Sequence, residues 1–146
     1  MTLDTIWVYA EATDGAVAST TLEILTKARE LADTVAAVFA GDGDDVAEEL
    51  GSYGAETVYA TGDLEGALVG VPVAAAIAAA IEAGDGPDAI MLGTTYDGRD
   101  IAARLSVMLD ATVITNVVDV AVDGDTLDLS GAPSPKIAAD ATQIWE

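Results

Sequence analysis

The sequence contains neither cysteine nor histidine among its 146 residues, and only five residues are lysine or arginine. The absence of cysteine excludes disulfides, thiolate metal ligands, cysteine nucleophiles and iron–sulfur clusters. The absence of histidine removes the commonest general base and metal ligand, so Ser-His-Asp and Cys-His mechanisms are impossible within this chain. Because no paired-acid signature replaces them, we expect a protein that is not an enzyme.

Acidic residues outnumber basic ones by 26 to 5, which gives a formal net charge of −21. Nucleic acids and anionic membranes bind basic surfaces, so neither is an expected partner. The most apolar run, 69–81, is too short to span a bilayer, and residues 1–11 lack the basic segment of a secretory signal. We therefore expect a cytoplasmic protein without membrane insertion. The aspartate-rich, lysine-poor composition resembles that of halophilic proteins, and an ordinary acidic protein is the alternative.

Apolar patterns predict a strand–helix alternation that repeats four times. Compact apolar runs favour five buried strands, at 5–10, 35–40, 57–60, 89–92 and 112–115. Helical spacing predicts helices at 20–33, 44–50, 72–83 and 98–109. We expect Thr20 or Thr21 to cap the first helix, Pro72 to lie in the first turn of the third, and Gly51 and Gly54 to form the end of the second and the following turn.

This alternation implies parallel strands joined by right-handed crossovers. We expect one α/β domain over residues 1–146, a three-layer sandwich of the flavodoxin-like, nucleotide-binding type with a mostly parallel five-stranded sheet in the order 3-2-1-4-5. Segments 117–122 and 126–129 flank an Asp-Gly turn, which predicts an antiparallel hairpin at an edge of the sheet. Pro133 and Pro135 indicate a further turn, and 137–145 shows no clear period.

In such a sheet, a ligand binds beyond the carboxyl ends of strands one and four, where the strand order reverses. The loop after strand four supplies candidate nucleotide-binding residues, namely Gly93, Thr94, Asp97, Gly98 and Arg99. Small residues would admit an anion to the helix start, Asp97 could accept a ribose hydroxyl, and Arg99 could bind a phosphate or a partner's carboxylate. Alternatively, the segment is a capped helix in which Asp97 accepts backbone N–H groups and Arg99 pairs with Asp100 or another acid.

Three other features favour structural roles. The turn at 41–45 does not match a calcium loop, because Val46 stands where a third oxygen ligand belongs. The alanine-rich face of 74–80 allows close packing on the sheet or on a partner. Trp7 and Tyr9 open the first strand and are expected in the core.

Three blocks carry a family resemblance. They are TLEILTKARELA at 21–32 after WVYAE at 7–11, LGSYGAETVY at 50–59, and LGTTYDGRDIAARL at 92–105 followed by TNVVD at 115–119. Together they closely resemble the amino-terminal domain of the electron transfer flavoprotein alpha subunit over about residues 5–122. The Gly-Arg-Asp helix start at 98–100 and the Tyr-Gly-Ala segment at 53–55 are the more specific parts.

The resemblance implies a heterodimer with a beta subunit, and electron transfer from flavin dehydrogenases, often acyl-CoA dehydrogenases, to a membrane quinone reductase. In that family this first domain is structural. Flavin adenine dinucleotide (FAD) binds mainly to the second, carboxy-terminal domain of the alpha subunit, and adenosine monophosphate (AMP) binds to the beta subunit. No flavin-binding position of the family corresponds to a residue of this chain, and 130–135 departs from the family pattern.

From the resemblance we expect a scaffold and subunit-association domain that binds no cofactor by itself, with Arg99 and Asp100 at the interface. The expected partners are a beta subunit and, if it is encoded separately, a flavin-binding alpha domain. The chain would then be a fragment, a split subunit or a stand-alone relative. The alternative function is a stand-alone nucleotide-binding module of the related universal-stress-like fold.

Overall fold

The computed structural model describes residues 3–114, 119–123, 126–130, 137–138 and 143–145, with side chains described for 3–113. In chain order its elements are β1 (Leu3–Ala10), β2 (Ala12–Thr13), β3 (Ala16–Val17), α1 (Ser19–Leu31), β4 (Ala32–Phe39), α2 (Asp44–Ser52), β5 (Thr57–Ala60), α3 (Gly70–Glu82), β6 (Ala89–Met91), α4 (Tyr96–Met108), β7 (Val113–Ile114), β8 (Asp119–Asp123), β9 (Thr126–Ser130), β10 (Ile137–Ala138) and β11 (Gln143–Trp145).

The main sheet consists of six described strands in the order β5-β4-β1-β6-β11-β7, and every pair in it is parallel. The α/β fold class is confirmed, and so is the order third-second-first-fourth for the first four predicted strands. The predicted order was wrong at one place, because β11 separates the fourth strand from the fifth. Strand β11 has only three residues and lies between β6 and β7. A strand this short shows no alternation of apolar and polar residues, so the sequence pattern at 137–145 did not predict it.

Strand β1 crosses the middle of the sheet and is buried on both faces. Ile6 and Val8 point to the layer formed by α1 and α2, whereas Trp7 and Tyr9 point to the layer formed by α3 and α4. This alternation explains why the strand is an unbroken apolar run. It also confirms that Trp7 and Tyr9 belong to the core.

The helices bury the faces that their spacing predicts. On one side of the sheet the buried positions are Leu25 and Ala28 of α1 with Val46 and Leu50 of α2. On the other side they are Val73 and Ile77 of α3 with Ile101 and Leu105 of α4. Each fully buried Leu or Ile contributes roughly 1.5–3 kcal/mol of transfer free energy. The result is the expected three-layer sandwich.

The predicted cap of α1 was wrong. Its N-cap is Ala18, which has no side chain able to cap the helix. Thr21 is instead buried in the first turn, and its Oγ1 accepts a hydrogen bond from the Glu11 backbone N–H at 3.0 Å. The hydroxyl therefore satisfies the backbone N–H of the residue that follows β1, rather than an N–H group at the start of the helix.

The end of α2 agrees partly with the prediction. Gly51 lies inside the helix, and the positive φ of 110° occurs at Gly54, just after it. A Cβ atom at Gly54 would overlap the Arg29 side chain, so both the backbone angle and the available space favour glycine there. Pro72 lies in the first turn of α3, as predicted.

Strands β8 and β9 form the predicted antiparallel hairpin, in which Asp123 lies opposite Thr126. The prediction was wrong about its place: β8 and β9 form a separate three-stranded sheet with β10, not an edge of the parallel sheet. Gly124 and Asp125 at its predicted tip and the turn predicted at 133–135 lie outside the described residues. A local pattern identifies a hairpin, but its docking depends on long-range contacts.

Candidate functional site

The strand order reverses between β1 and β6. The chain leaves β1 toward α1 and β4 on one side, and leaves β6 toward α4 and β7 on the other. The carboxyl ends of these two strands therefore form the crevice in which ligands of this fold class usually bind. Two segments meet there, Glu11 after β1 and the loop 93–95 after β6.

A carboxylate of the chain itself lies in this crevice. The Thr95 hydroxyl donates a hydrogen bond to Glu11 Oε1 at 2.7 Å. Thr95 Oγ1 also accepts the Gly98 backbone N–H at 3.0 Å and so caps α4. The Glu11 carboxylate is thereby linked, through one hydroxyl, to the amino-terminal end of a helix, where negative charge is favourable.

Two ionisable groups of the crevice have raised pKa values. Burial raises the pKa of the Glu11 carboxyl, the hydrogen bond from Thr95 lowers it, and the charge of Asp97 raises it again. Burial also raises the pKa of the Tyr9 phenol, with further contributions from the charges of Glu11 and Asp97. Burial is the largest cause of both shifts, because it disfavours the charged form of each group.

The five candidate nucleotide-binding residues do not share one environment. Gly93 and Gly98 are buried and adjacent, whereas Thr94, Asp97 and Arg99 are exposed. A Cβ atom at Gly98 would overlap the Gly93 carbonyl oxygen, so close packing of α4 on the loop already explains that glycine. Their role in binding a nucleotide stays a prediction.

The alternative interpretation, a capped helix, is confirmed for α4, but two of its residue assignments were wrong. The capping side chain is Thr95, not Asp97, which stays exposed in the first turn. The partner of Asp100 is Arg104, with Nε and Oδ1 3.0 Å apart, rather than Arg99. Thr95 could have been found from its residue type and place, because Ser and Thr are preferred N-caps and an acidic residue, Asp97, follows in the first turn. Glu11 gave only a weak signal, a carboxylate directly after a buried strand.

The solvent side of α4 carries an unusual set of side chains, which we call the α4 outer face: Tyr96, Arg99, Ala103, Arg104 and Val107. Tyr96 and Val107 are 94% and 83% exposed, although both are large and apolar. Within residues 3–113, Arg99 has no ion pair, and it is exposed. Two of the five basic residues of a strongly acidic chain therefore flank an exposed apolar stripe.

The start of α3 lies beside this face. A Cβ atom at Gly70 would overlap the Asp100 carboxylate and come close to Arg104 Nε, so the two helices meet closely there. Leu68 and Val71 on either side of Gly70 are also exposed. They extend the apolar area next to the Asp100–Arg104 pair. Exposed apolar area with a charged rim is typical of a protein interface.

The part of the chain that the structure describes contains no group of three or more acidic, Cys or His side chains placed to hold a metal ion. Among the described helices, none has the length and apolar composition needed to cross a bilayer.

These features define a doubly wound α/β domain in which a carboxylate of the chain itself, Glu11, is hydrogen-bonded to the capping residue of α4 at the reversal of strand order. The sequence profile of the electron transfer flavoprotein domain matches residues 6–131, so the chain belongs to that family. The electron transfer flavoprotein alpha subunit of Syntrophomonas wolfei is 34% identical over 119 residues, which are 80% of this chain and 37% of that protein. The Mycobacterium leprae alpha subunit is 32% identical over 77% of this chain and 36% of its own length.

A third relative is the acryloyl-CoA reductase electron transfer subunit beta of Anaerotignum propionicum, 29% identical over 89% of this chain and 40% of that protein. This chain thus spans about two fifths of the curated relatives it matches. The resemblance to the amino-terminal domain of the alpha subunit is confirmed.

Proposed function

We propose that this chain is the scaffold and subunit-association domain of an electron transfer flavoprotein alpha subunit, and that the α4 outer face contacts the beta subunit. The observation that carries the proposal is the combination on one helix face of exposed apolar side chains, Tyr96 and Val107, with Arg99, an exposed cation that forms no ion pair within residues 3–113. Such a face fits a partner surface that is apolar and bears carboxylates.

The remaining parts of the proposal follow from family membership. FAD binds to the carboxy-terminal flavin domain and AMP to the beta subunit, while this cytoplasmic domain does no chemistry and positions its partners. Electrons pass from flavin dehydrogenases through the assembled flavoprotein to the respiratory chain. The negative charge of the crevice around Glu11 supports a cofactor-free role for this chain.

The test is a binding titration with the electron transfer flavoprotein beta subunit of the same organism. Arg99→Ala removes one charge-assisted contact and should weaken binding by about 10- to 150-fold, equivalent to about 1.5–3 kcal/mol. Val107→Asp should abolish detectable binding, because the complex would bury an unpaired carboxylate in the apolar stripe. The matched control is Ala47→Asp, which changes an exposed alanine of α2 on the opposite side of the sheet. Unchanged affinity in both α4 variants would move the interface elsewhere.

A nucleotide-binding module is the competing function. It predicts that AMP or ATP binds the isolated chain with micromolar affinity, and that Arg99→Ala abolishes binding. The scaffold proposal predicts no heat of binding in calorimetry, and no flavin absorbance after incubation with FAD and gel filtration. A stoichiometric yellow protein would contradict the scaffold proposal.

A further inference from the structure

An open apolar cleft of about 490 Å³ lies between α3 and the outer strands of the sheet. Three neighbouring strands contribute Trp7, Val38 and Tyr59 to its lining, and the other lining residues are Ala76, Ile77, Ala80 and Asp85. Its volume falls within the range of roughly 300–1,000 Å³ that is typical of ligand sites. The cleft is remote in sequence from the α4 outer face and shares no residue with it.

Small side chains on α3 create the cleft. Ala76 and Ala80 line the cleft, and larger side chains at these positions would fill part of the space beside Tyr59. Tyr59 is consequently 48% exposed, although its ring packs on the buried Trp7 with 5.1 Å between ring centroids. Two aromatic rings thus form a platform with an open side.

The cleft adjoins an edge of the sheet. Among the described strands, β5 pairs only with β4, and it ends the sheet. The outer side of an edge strand presents backbone N–H and C=O groups that another strand can pair with. Tyr59 belongs to this strand and also lines the cleft, so a segment that paired with β5 would place a side chain next to the aromatic platform. Strand addition of this kind is a common mode of peptide recognition.

The charge around the cleft indicates which segment would fit. Asp85 lies in its lining, and the exposed residues Glu56 and Asp63 lie just before and just after β5. Residues 30–98 contain no lysine or arginine. A second copy of this chain would bring another net charge of −21 to the same place, so charge complementarity favours a basic partner instead.

We propose that β5 and the cleft bind an extended basic segment of a partner protein. The segment adds as a strand beside β5, inserts an aromatic or branched aliphatic side chain between Tyr59 and α3, and pairs a lysine or arginine with Asp85. This site is independent of the interface proposed for α4.

The test uses a fluorescein-labelled nine-residue peptide in which lysine alternates with phenylalanine and valine, measured by fluorescence anisotropy with the full chain. We expect a Kd on the order of 10–100 µM in about 0.15 M salt. Ala76→Leu fills the cleft and should weaken binding by at least about tenfold. The matched control Ala75→Leu changes a neighbouring exposed alanine outside the cleft and should leave the Kd within about twofold. Circular dichroism establishes that both variants fold.

A second peptide with two adjacent prolines at its centre lacks an N–H group facing β5 in any register, and it should bind at least about tenfold more weakly. The proposal is overturned if this peptide binds as well as the first, or if Ala76→Leu has no effect, because attraction would then come from charge alone. It is also overturned if no binding occurs up to about 1 mM peptide. A dimer in sedimentation that Ala76→Leu dissociates would also overturn the proposal, because the occupant of the cleft would then be a second copy of this chain.

Discussion

Replacing Gly98 with alanine should destabilise the protein, although alanine is the better helix former. At an unconstrained helical position, Gly→Ala stabilises by up to about 1 kcal/mol. At Gly98 the added Cβ would overlap the Gly93 carbonyl oxygen, which is backbone and can yield only if the loop after β6 moves. Overpacking of this kind typically costs about 1–3 kcal/mol. We therefore expect a net loss of about 1–2 kcal/mol.

Gly51 provides the matched control. It lies inside α2, and a Cβ atom there would meet no heavy atom within 4 Å. Gly51→Ala should stabilise by up to about 1 kcal/mol, so the same substitution should have opposite signs at the two positions. Urea unfolding followed by circular dichroism, in high salt, measures both. A Gly98→Ala variant as stable as the original chain would refute the packing explanation and return Gly98 to the list of ligand-binding candidates.

Three further predictions concern charge and capping. The melting temperature should rise with sodium chloride from about 0.01 M to 1 M, because the Debye length falls from about 30 Å to 3 Å and a net charge of −21 is screened; a flat series would contradict this. The pKa of Glu11 is raised in the folded state, so the folded protein binds more protons than the unfolded chain at pH values between the unfolded and folded pKa of this carboxyl. Stability should therefore fall as the pH rises through that range. Glu11→Gln should reduce this slope and stabilise the protein at neutral pH; a variant with an unchanged slope in urea unfolding at several pH values would show that Glu11 is not responsible. Thr95→Val removes the cap of α4 and should cost about 1 kcal/mol by the same assay, and an unchanged midpoint would show that the cap contributes little.

Local patterns predicted the regular elements well. The third predicted strand, 57–60, coincides with β5, and the helical spacing of 98–109 found α4 within two residues of its start and one of its end. Such elements are determined by which face of a short segment is apolar, and the sequence shows that directly. The capping residue of α1 was predicted wrongly. Thr21 has a hydroxyl that could cap a helix, but this hydroxyl accepts the backbone N–H of Glu11 instead.

The candidate site was predicted in position rather than in chemistry. The reversal of strand order between β1 and β6 follows from the alternation of elements, and it predicts a ligand site in the loop 93–99. The hydrogen bond from Thr95 to Glu11 joins residues 84 positions apart, so no local pattern could predict it. That contact places a carboxylate of the chain itself beside the start of α4.

By itself, the sequence determined the class of the protein. Its lack of cysteine and histidine, its acidity and its alternating apolar runs set an α/β domain without the usual catalytic groups, and its motifs identified the family. Only the tertiary structure decided where β11 enters the sheet, which side chains line the crevice, and that small residues of α3 leave a cleft beside Tyr59. The reason is physical: apolar periodicity is a property of neighbouring residues, whereas strand pairing, burial and the pKa of a carboxyl depend on groups that only folding brings together.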